Sequence, residues 1–69
     1  MMRYLIVIEK ADGNYSAYSP DIPGCVATGH TPEEARKQME SAIALHVAGL
    51  REDEEPLPVP SSTAEYVEV

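Results

Sequence analysis

Apolar residues occupy both faces of the first predicted strand, which has the sequence RYLIVIEK. Aromatic and β-branched residues predominate in it, as is typical of strands. Side chains alternate along a strand, so Tyr4, Ile6 and Ile8 share one face, and Leu5 and Val7 share the other. Two apolar faces are typical of a strand that is covered on both sides. One short helix covers only one face, so we expect the second cover to come from another subunit or from the rest of the chain.

Two turn signals separate this strand from two further predicted strands. Asp12 and Gly13 stand between RYLIVIEK and YSAYS, and an Asp-Gly pair favours a hairpin. The segment PDIPGC then predicts a corner, because proline holds the preceding residue extended and Pro23 with Gly24 favours a turn. We expect Asp21 to cap this corner with its side chain, and CVATG to form a short third strand.

A helix is predicted to run from Pro32 to about Asp53. Thr31 is a suitable N-cap, Pro32 suits the first helical position, and Glu34 follows the cap by three residues, as in a capping box. Glu33 and Glu34 also complement the positive end of the helix dipole. The predicted apolar stripe recurs at spacings of three and four and comprises Ala35, Met39, Ala42, Ile43, His46 and Leu50.

The chain after the helix is predicted to be extended. Pro56, Pro58 and Pro60 alternate with other residues and impose a polyproline-like connector. The last residues, AEYVEV, predict a fourth strand that re-enters parallel to the first by a right-handed crossover. The predicted fold class is therefore α+β, with the order β-β-β-α-β: a three-stranded antiparallel meander, a last strand, and one helix on one face of the sheet.

Negative charge is concentrated in the last quarter of the chain. The net charge is −7, and residues 1–51 carry six acids against five bases, whereas residues 52–69 carry six acids and no base. Such a surface repels phosphate, which argues against direct binding of nucleic acid. The acids would instead attract a basic partner, or serve only as a solvated tail that aids solubility; charge alone does not separate these two interpretations.

Length and cysteine usage add three expectations. A chain of 69 residues makes a single domain, and it buries only about 60% of the surface that its unfolded state exposes, so we expect a homo-oligomer, a dimer or a tetramer. A single cysteine fits a reducing compartment, and we expect a cytoplasmic protein. The longest apolar run, YLIVI, is too short to cross a membrane.

Three motifs in the same order resemble those of the HicB-like antitoxins. They are D-I-P-G-C, the helix entry G-x-T-x-E-E-A, and the exit E-P-L-P-x-P; together with the first strand, which contains YLIVIE, the resemblance covers residues 3–60. The resemblance implies a core like a shortened ribonuclease-H-like sheet without nuclease activity. It also implies binding and neutralisation of a HicA-like toxin, a small basic protein that cuts messenger RNA. Many family members carry a DNA-binding module after this core; we expect none in this chain, which reaches only Val69.

Candidate catalytic chemistry is limited to a few residues. Cys25 with His30 would make a nucleophile and its base, but their odd spacing along a strand directs them to opposite faces, and Cys25 is better interpreted as a small structural residue. His46 has no second ligand nearby and is better interpreted as a packed or interface histidine. Active ribonuclease H uses several converging acids, and we do not expect such convergence here for Glu9, Glu40 and Glu68.

The resemblance therefore implies a non-catalytic antitoxin core in contact with a HicA-like toxin, and the residues themselves give no reason to expect a metal or cofactor. The alternatives are a solitary oligomeric binding domain of another role, or a weak hydrolase using Cys25. The predicted partner-binding residues are Asp21, Glu52, Asp53, Glu54 and Glu55. The predicted structural residues are Pro23, Gly24, Cys25, Thr31, Pro32 and Glu34.

Overall fold

A computed structural model describes residues 2–69 and places the predicted meander before a single helix. Strand β1 spans Val7–Lys10, β2 spans Tyr15–Tyr18, β3 spans Val26–Gly29, and helix α1 spans Pro32–Glu52. The strands are antiparallel and lie in the order β1-β2-β3. The α+β class and the three-stranded meander with one helix are therefore confirmed.

The two turns between strands use glycine where the backbone requires positive φ. Gly13 has φ 84° in the β1–β2 hairpin, and Gly24 has φ 79° in the corner after Pro23. In the corner, Ile22 N–H donates to the Ser19 carbonyl at 3.2 Å. Ile22 itself is fully buried, so this corner contributes a core residue as well as a change of direction.

The core lies between the sheet and α1. Cross-strand partners Ile8, Ala17 and Ala27 share the face towards the helix. The buried apolar residues are Ala17, Ile22, Cys25, Ala35 and Met39. The opposite face carries the row formed by Val7, Tyr18 and Val26, in which Tyr18 and Val26 are exposed.

The N-terminus of α1 is capped by Thr31, whose Oγ1 accepts a hydrogen bond from Glu34 N–H at 3.1 Å. Pro32 occupies the first turn, and Glu33 and Glu34 lie at the positive end of the dipole. The helix begins and ends within one residue of its predicted limits. Within residues 2–69, no helix combines the length and apolar character needed to span a bilayer.

Helix α1 is longer than the sheet on which it packs. Its 21 residues extend about 31 Å, whereas a four-residue strand extends about 13 Å. Ala35 and Met39 are buried, but His46 is exposed and Leu45 beside it is 77% exposed. The prediction that placed His46 within a buried stripe is therefore wrong, because His46 lines an open groove beside Gly24, Cys25 and Val26 instead of packing into the core.

The predicted fourth strand is not formed in the described chain. Residues 53–69 follow α1 without helix or strand, and β1 and β3 are the two edges of the sheet. Tyr66 and Val69 are as exposed as in a free extended peptide. The sequence of residues 64–69 favours a strand, but beyond Ala64, which lies near residues 3–6, these residues are exposed and pair with neither edge of the described sheet.

Candidate partner-binding site

The C-terminus of α1 adopts a backbone arrangement that usually contains glycine. Glu54 has φ 57°, and its N–H donates to the Arg51 carbonyl at 3.1 Å, while Glu55 N–H donates to the Leu50 carbonyl at 2.8 Å. These two bonds form a Schellman motif, in which the left-handed position is most often glycine. A non-glycine residue in this conformation costs about 1–2 kcal/mol. The helix therefore ends on a strained acidic residue.

The same end of the helix carries four exposed acids, which we call the acidic end: Glu52, Asp53, Glu54 and Glu55. The C-terminus of a helix is the negative end of its dipole, so each acid there is repelled rather than attracted. Arg51 is the basic residue of the last turn. Dipole repulsion makes this charge unfavourable in the isolated chain, and the strained backbone of Glu54 adds a cost that does not depend on charge.

The connector that follows the acidic end is held against the sheet at two places. Tyr4 Oη donates to the Pro58 carbonyl at 2.7 Å. The Asp21 carboxylate then accepts four hydrogen bonds from Ser61 and Ser62, two from backbone N–H groups and two from hydroxyls, at 2.8–3.2 Å. The hydroxyl and backbone N–H of Ser62, followed by those of Ser61, lower the pKa of Asp21 below its ordinary value. Asp21 is therefore an anchor for the connector.

Cys25 and His30 are not arranged as a nucleophile and base. Cys25 is 7% exposed, and its burial raises the pKa of the thiol, which disfavours the reactive thiolate. His30 is exposed, and no hydrogen bond joins the two side chains among the described residues. Cys25 contributes to the apolar core with Ala17 and Met39.

The other candidate ligands are also separated. His46 is exposed on the second half of α1, and Glu68 lies in the exposed residues after the connector. Glu40 is paired with Arg36 at 2.9 Å along the helix surface. In the part of the chain that the structure describes, no three histidine, cysteine or acidic residues form a group suited to a metal ion.

The sequence profile of one protein family matches residues 4–69, and that family is described as "HicB_like antitoxin of bacterial toxin-antitoxin system". The chain belongs to this HicB-like antitoxin family. A solved structure titled "HicA3 and HicB3 toxin-antitoxin complex" matches the HicB-like chain with a TM-score of 0.72 and 37% identity, over 87% of this chain and 70% of the other.

Several curated relatives match most of the HicB-like chain. An uncharacterised 14.9 kDa protein from the rep-hol intergenic region of Haemophilus phage HP1 is 39% identical over 66 residues, which cover 96% of this chain and 50% of that protein. A UPF0150 protein of Synechocystis is 38% identical over 80% of this chain and 71% of its own length. A UPF0150 protein of Thermoplasma acidophilum is 34% identical over 83% of this chain and 84% of its own. This chain thus spans half the length of the phage relative.

Sequence reasoning did not find the contact between Asp21 and the two serines. Asp21 was expected to cap the Pro23–Gly24 corner, whereas its carboxylate reaches residues 40 and 41 positions later. Both serines are exposed, so water can satisfy their hydroxyl and N–H groups, and no local signal in the sequence points to this anchor. Through this anchor the HicB-like fold fixes the path of the chain beyond its acidic end.

Proposed function

We propose that this HicB-like chain is a non-catalytic antitoxin that binds and neutralises a small basic HicA-like toxin. The observation that carries the proposal is the 37% identical structural match, whose title names a toxin together with its antitoxin. The family match over residues 4–69 supports the same role. In this proposal those residues bind the toxin as a single domain and without a second module.

The acidic end is the proposed toxin contact. Its four acids are unfavourable in the isolated chain, because they lie at the negative end of the helix dipole and Glu54 is strained. Basic residues of a toxin would offset the dipole repulsion on binding. Charges at an exposed rim act mainly on the association rate, so we expect the acidic end to attract the toxin before the complex forms.

Asp21 has a positioning role in this proposal. Its carboxylate already accepts four hydrogen bonds from Ser61 and Ser62. Together with the Tyr4–Pro58 bond, the anchor fixes the connector directly after the acidic end. We expect Asp21 to keep the connector from covering the four acids. Its own contribution to toxin binding should be smaller than theirs.

Neutralisation by binding requires no chemistry from this chain. A hydrolase using Cys25 needs an accessible thiolate with a base, and burial of the thiol with its raised pKa supports neither condition. The buried position of Cys25 supports a packing role instead.

The proposal is tested by inspecting the neighbouring genes for one that encodes a small basic protein and by co-expressing that protein with this chain. Expression of the basic protein alone should arrest growth and reduce messenger RNA, and co-expression of this chain should restore both. The tagged chain should retain the basic protein through affinity purification and gel filtration. A growth arrest that persists while both proteins are present and folded would refute the antitoxin role.

A matched pair of variants separates binding at the acidic end from general charge. The first variant replaces Glu54 and Glu55 with glutamine; the control is Glu9→Gln with Asp12→Asn, which removes the same charge at the hairpin. The hairpin lies near the N-terminus of α1, since β2 begins opposite Gly29, which contacts Ala35. The first variant should rescue growth less effectively than the control, and equal rescue would place the contact elsewhere.

A further inference from the structure

The outer edge of β3 is open in the described chain. β3 pairs with β2 on one side, and the sheet order places nothing on the other. An open edge presents unpaired N–H and C=O groups that form hydrogen bonds readily with another strand. β3 is therefore able to accept an added strand.

A groove of about 560 Å³ follows this edge and separates it from α1. One wall contains all four residues of β3, Val26–Gly29. Successive side chains of a strand point to opposite faces, so the side chains of four consecutive residues cannot all line one groove. The four residues of β3 therefore border the groove through their backbone edge. The other wall includes Gln38, Ala42 and Leu45 of α1. Leu45 is 77% exposed on the helix side of this edge, and Val26 is 69% exposed on the opposite face of β3, so apolar surface is uncovered on both sides of the edge.

Residues 64–69, which we call the arm, have the properties of a strand without a sheet. Their sequence, AEYVEV, is rich in aromatic and β-branched residues, and they form no helix or strand. Tyr66, Val67 and Val69 are 82–124% exposed, so they contact almost nothing in their own chain. Apolar side chains of this size favour burial. The arm is thus a strand-forming segment with no partner in its own chain.

The arm starts at the opposite edge of the sheet from β3. Ser62, Thr63 and Ala64 lie beside residues 3–6, which lead into β1. Strands are about 4.8 Å apart, so reaching the outer edge of β3 from beside β1 means crossing four strand spacings, about 19 Å of the roughly 20 Å that six residues span. Almost no length of the arm would remain to lie along β3. Its own β3 is therefore out of reach as a partner.

We propose that the arm of one copy adds as a fourth strand to the β3 edge of a second copy. Backbone hydrogen bonds to β3 would supply affinity, and apolar arm residues would cover Val26 and Leu45. Each copy has one arm and one groove, so a reciprocal exchange of arms closes a two-fold dimer, whereas a one-way contact would extend into a longer chain of copies. We assign the reciprocal exchange. This inference goes beyond the toxin-binding role and does not depend on it, because the groove and the acidic end are different surfaces.

The experiment is sedimentation of the full 69-residue chain without any toxin, with three variants. The arm variant is Tyr66→Ser with Val67→Ser, and the groove variant is Val26→Lys with Leu45→Lys. The control is Val59→Ser, which changes an apolar residue of the connector that is 75% exposed. The original chain and the control should be dimers, and both other variants should dissociate with a constant raised at least about tenfold. Circular dichroism should show the same fold in all four proteins, since every substituted residue is exposed.

An equimolar mixture of the arm variant and the groove variant tests the reciprocity. The arm variant keeps a groove and the groove variant keeps an arm, so one of two contacts remains in the mixed dimer. The mixture should associate more strongly than either variant alone. A mixture no stronger than its components would overturn the exchange of arms.

A peptide experiment identifies the strand edge to which the arm binds, and it uses a protein whose groove residues are unchanged. A peptide of residues 63–69 is added to the isotope-labelled arm variant, and amide signals are followed by NMR. Signals of residues 26–29 and 41–45 should shift. Shifts at residues 7–10 alone would overturn the assignment to β3. So would a monomeric original chain at micromolar concentration, or a groove variant that remains dimeric but loses only toxin binding.

Discussion

Both ends of α1 carry acidic residues, but these residues stabilise the helix at its N-terminus and destabilise it at its C-terminus. At the N-terminus, Glu33 and Glu34 lie at the positive end of the dipole, and the Glu34 N–H is satisfied by Thr31. At the C-terminus, Glu52–Glu55 lie at the negative end, and Glu54 occupies a position at which glycine is favoured. The N-terminus contributes stability, whereas the C-terminus reduces it. This difference is what we expect when one end serves folding and the other serves binding.

The largest expected effect is at the N-terminal end, where α1 approaches β3. A Cβ atom on Gly29 would collide with the backbone N atom of Ala35 and would lie only 2.9 Å from the Cα atom of Ala35. Gly29→Ala should therefore destabilise the fold by about 3 kcal/mol, measured by urea unfolding. Gly49→Ala in the second half of α1 is the control, because a Cβ there meets open space. The control should stabilise the fold by about 0.5–1 kcal/mol, and the same sign for both variants would contradict this difference.

The N-cap should contribute a smaller amount. Thr31→Ala removes the acceptor of the Glu34 N–H and should lower the free energy of unfolding by about 1 kcal/mol. Thr63→Ala, in the exposed residues after the connector, is the control and should leave the unfolding midpoint unchanged. An unchanged midpoint for Thr31→Ala would mean that the cap adds nothing to stability.

At the C-terminal end, a substitution is expected to stabilise the protein. Glu54→Gly relieves about 1–2 kcal/mol of left-handed strain, partly offset by the greater freedom of glycine in the unfolded chain, for a net gain of about 0.5–1 kcal/mol. Glu54→Ala removes the same charge but keeps the strain, so it should gain less. If the two variants are equally stable, the backbone strain at Glu54 is negligible.

The smallest effect concerns the anchor beyond the acidic end and depends on pH. The pKa of Asp21 is lowered in the folded chain, so its contribution is present above its unfolded pKa and is lost as the pH falls through the lower folded value. The connector should therefore stay bound at neutral pH and detach below about pH 4. NMR signals of the Ser61 and Ser62 amides report this directly. Asp21→Asn should abolish the transition, and a transition that persists in this variant would belong to another group.

Local signals in the sequence account for most of the fold. Asp12 with Gly13, Pro23 with Gly24, and Thr31 with Glu34 each determine structure within four residues, and each is visible in the sequence. The exposure of His46 was not predicted, since the spacing of apolar residues along α1 does not reveal which turns of the helix pack closely against the sheet.

Long-range contacts of the second half of the chain were not predictable in the same way. The Asp21 anchor joins residues about forty positions apart, and no periodicity encodes such a contact. The fourth strand predicted for residues 64–69 is not formed, because strand propensity alone does not create pairing with an edge. The acidic end was visible as composition, whereas its strain at Glu54 required the backbone conformation.

The association rate with the basic partner tests the central claim most directly. Replacing all four acids of the acidic end with glutamine should slow capture about tenfold at 0.01 M salt, where charges act over about 30 Å. At 1 M salt this range falls to about 3 Å, and the variant and the original chain should associate at nearly the same rate. The variant should remain folded, because its substituted residues are exposed. Equal rates at low salt would contradict the account and leave the acidic end as a solubilising segment.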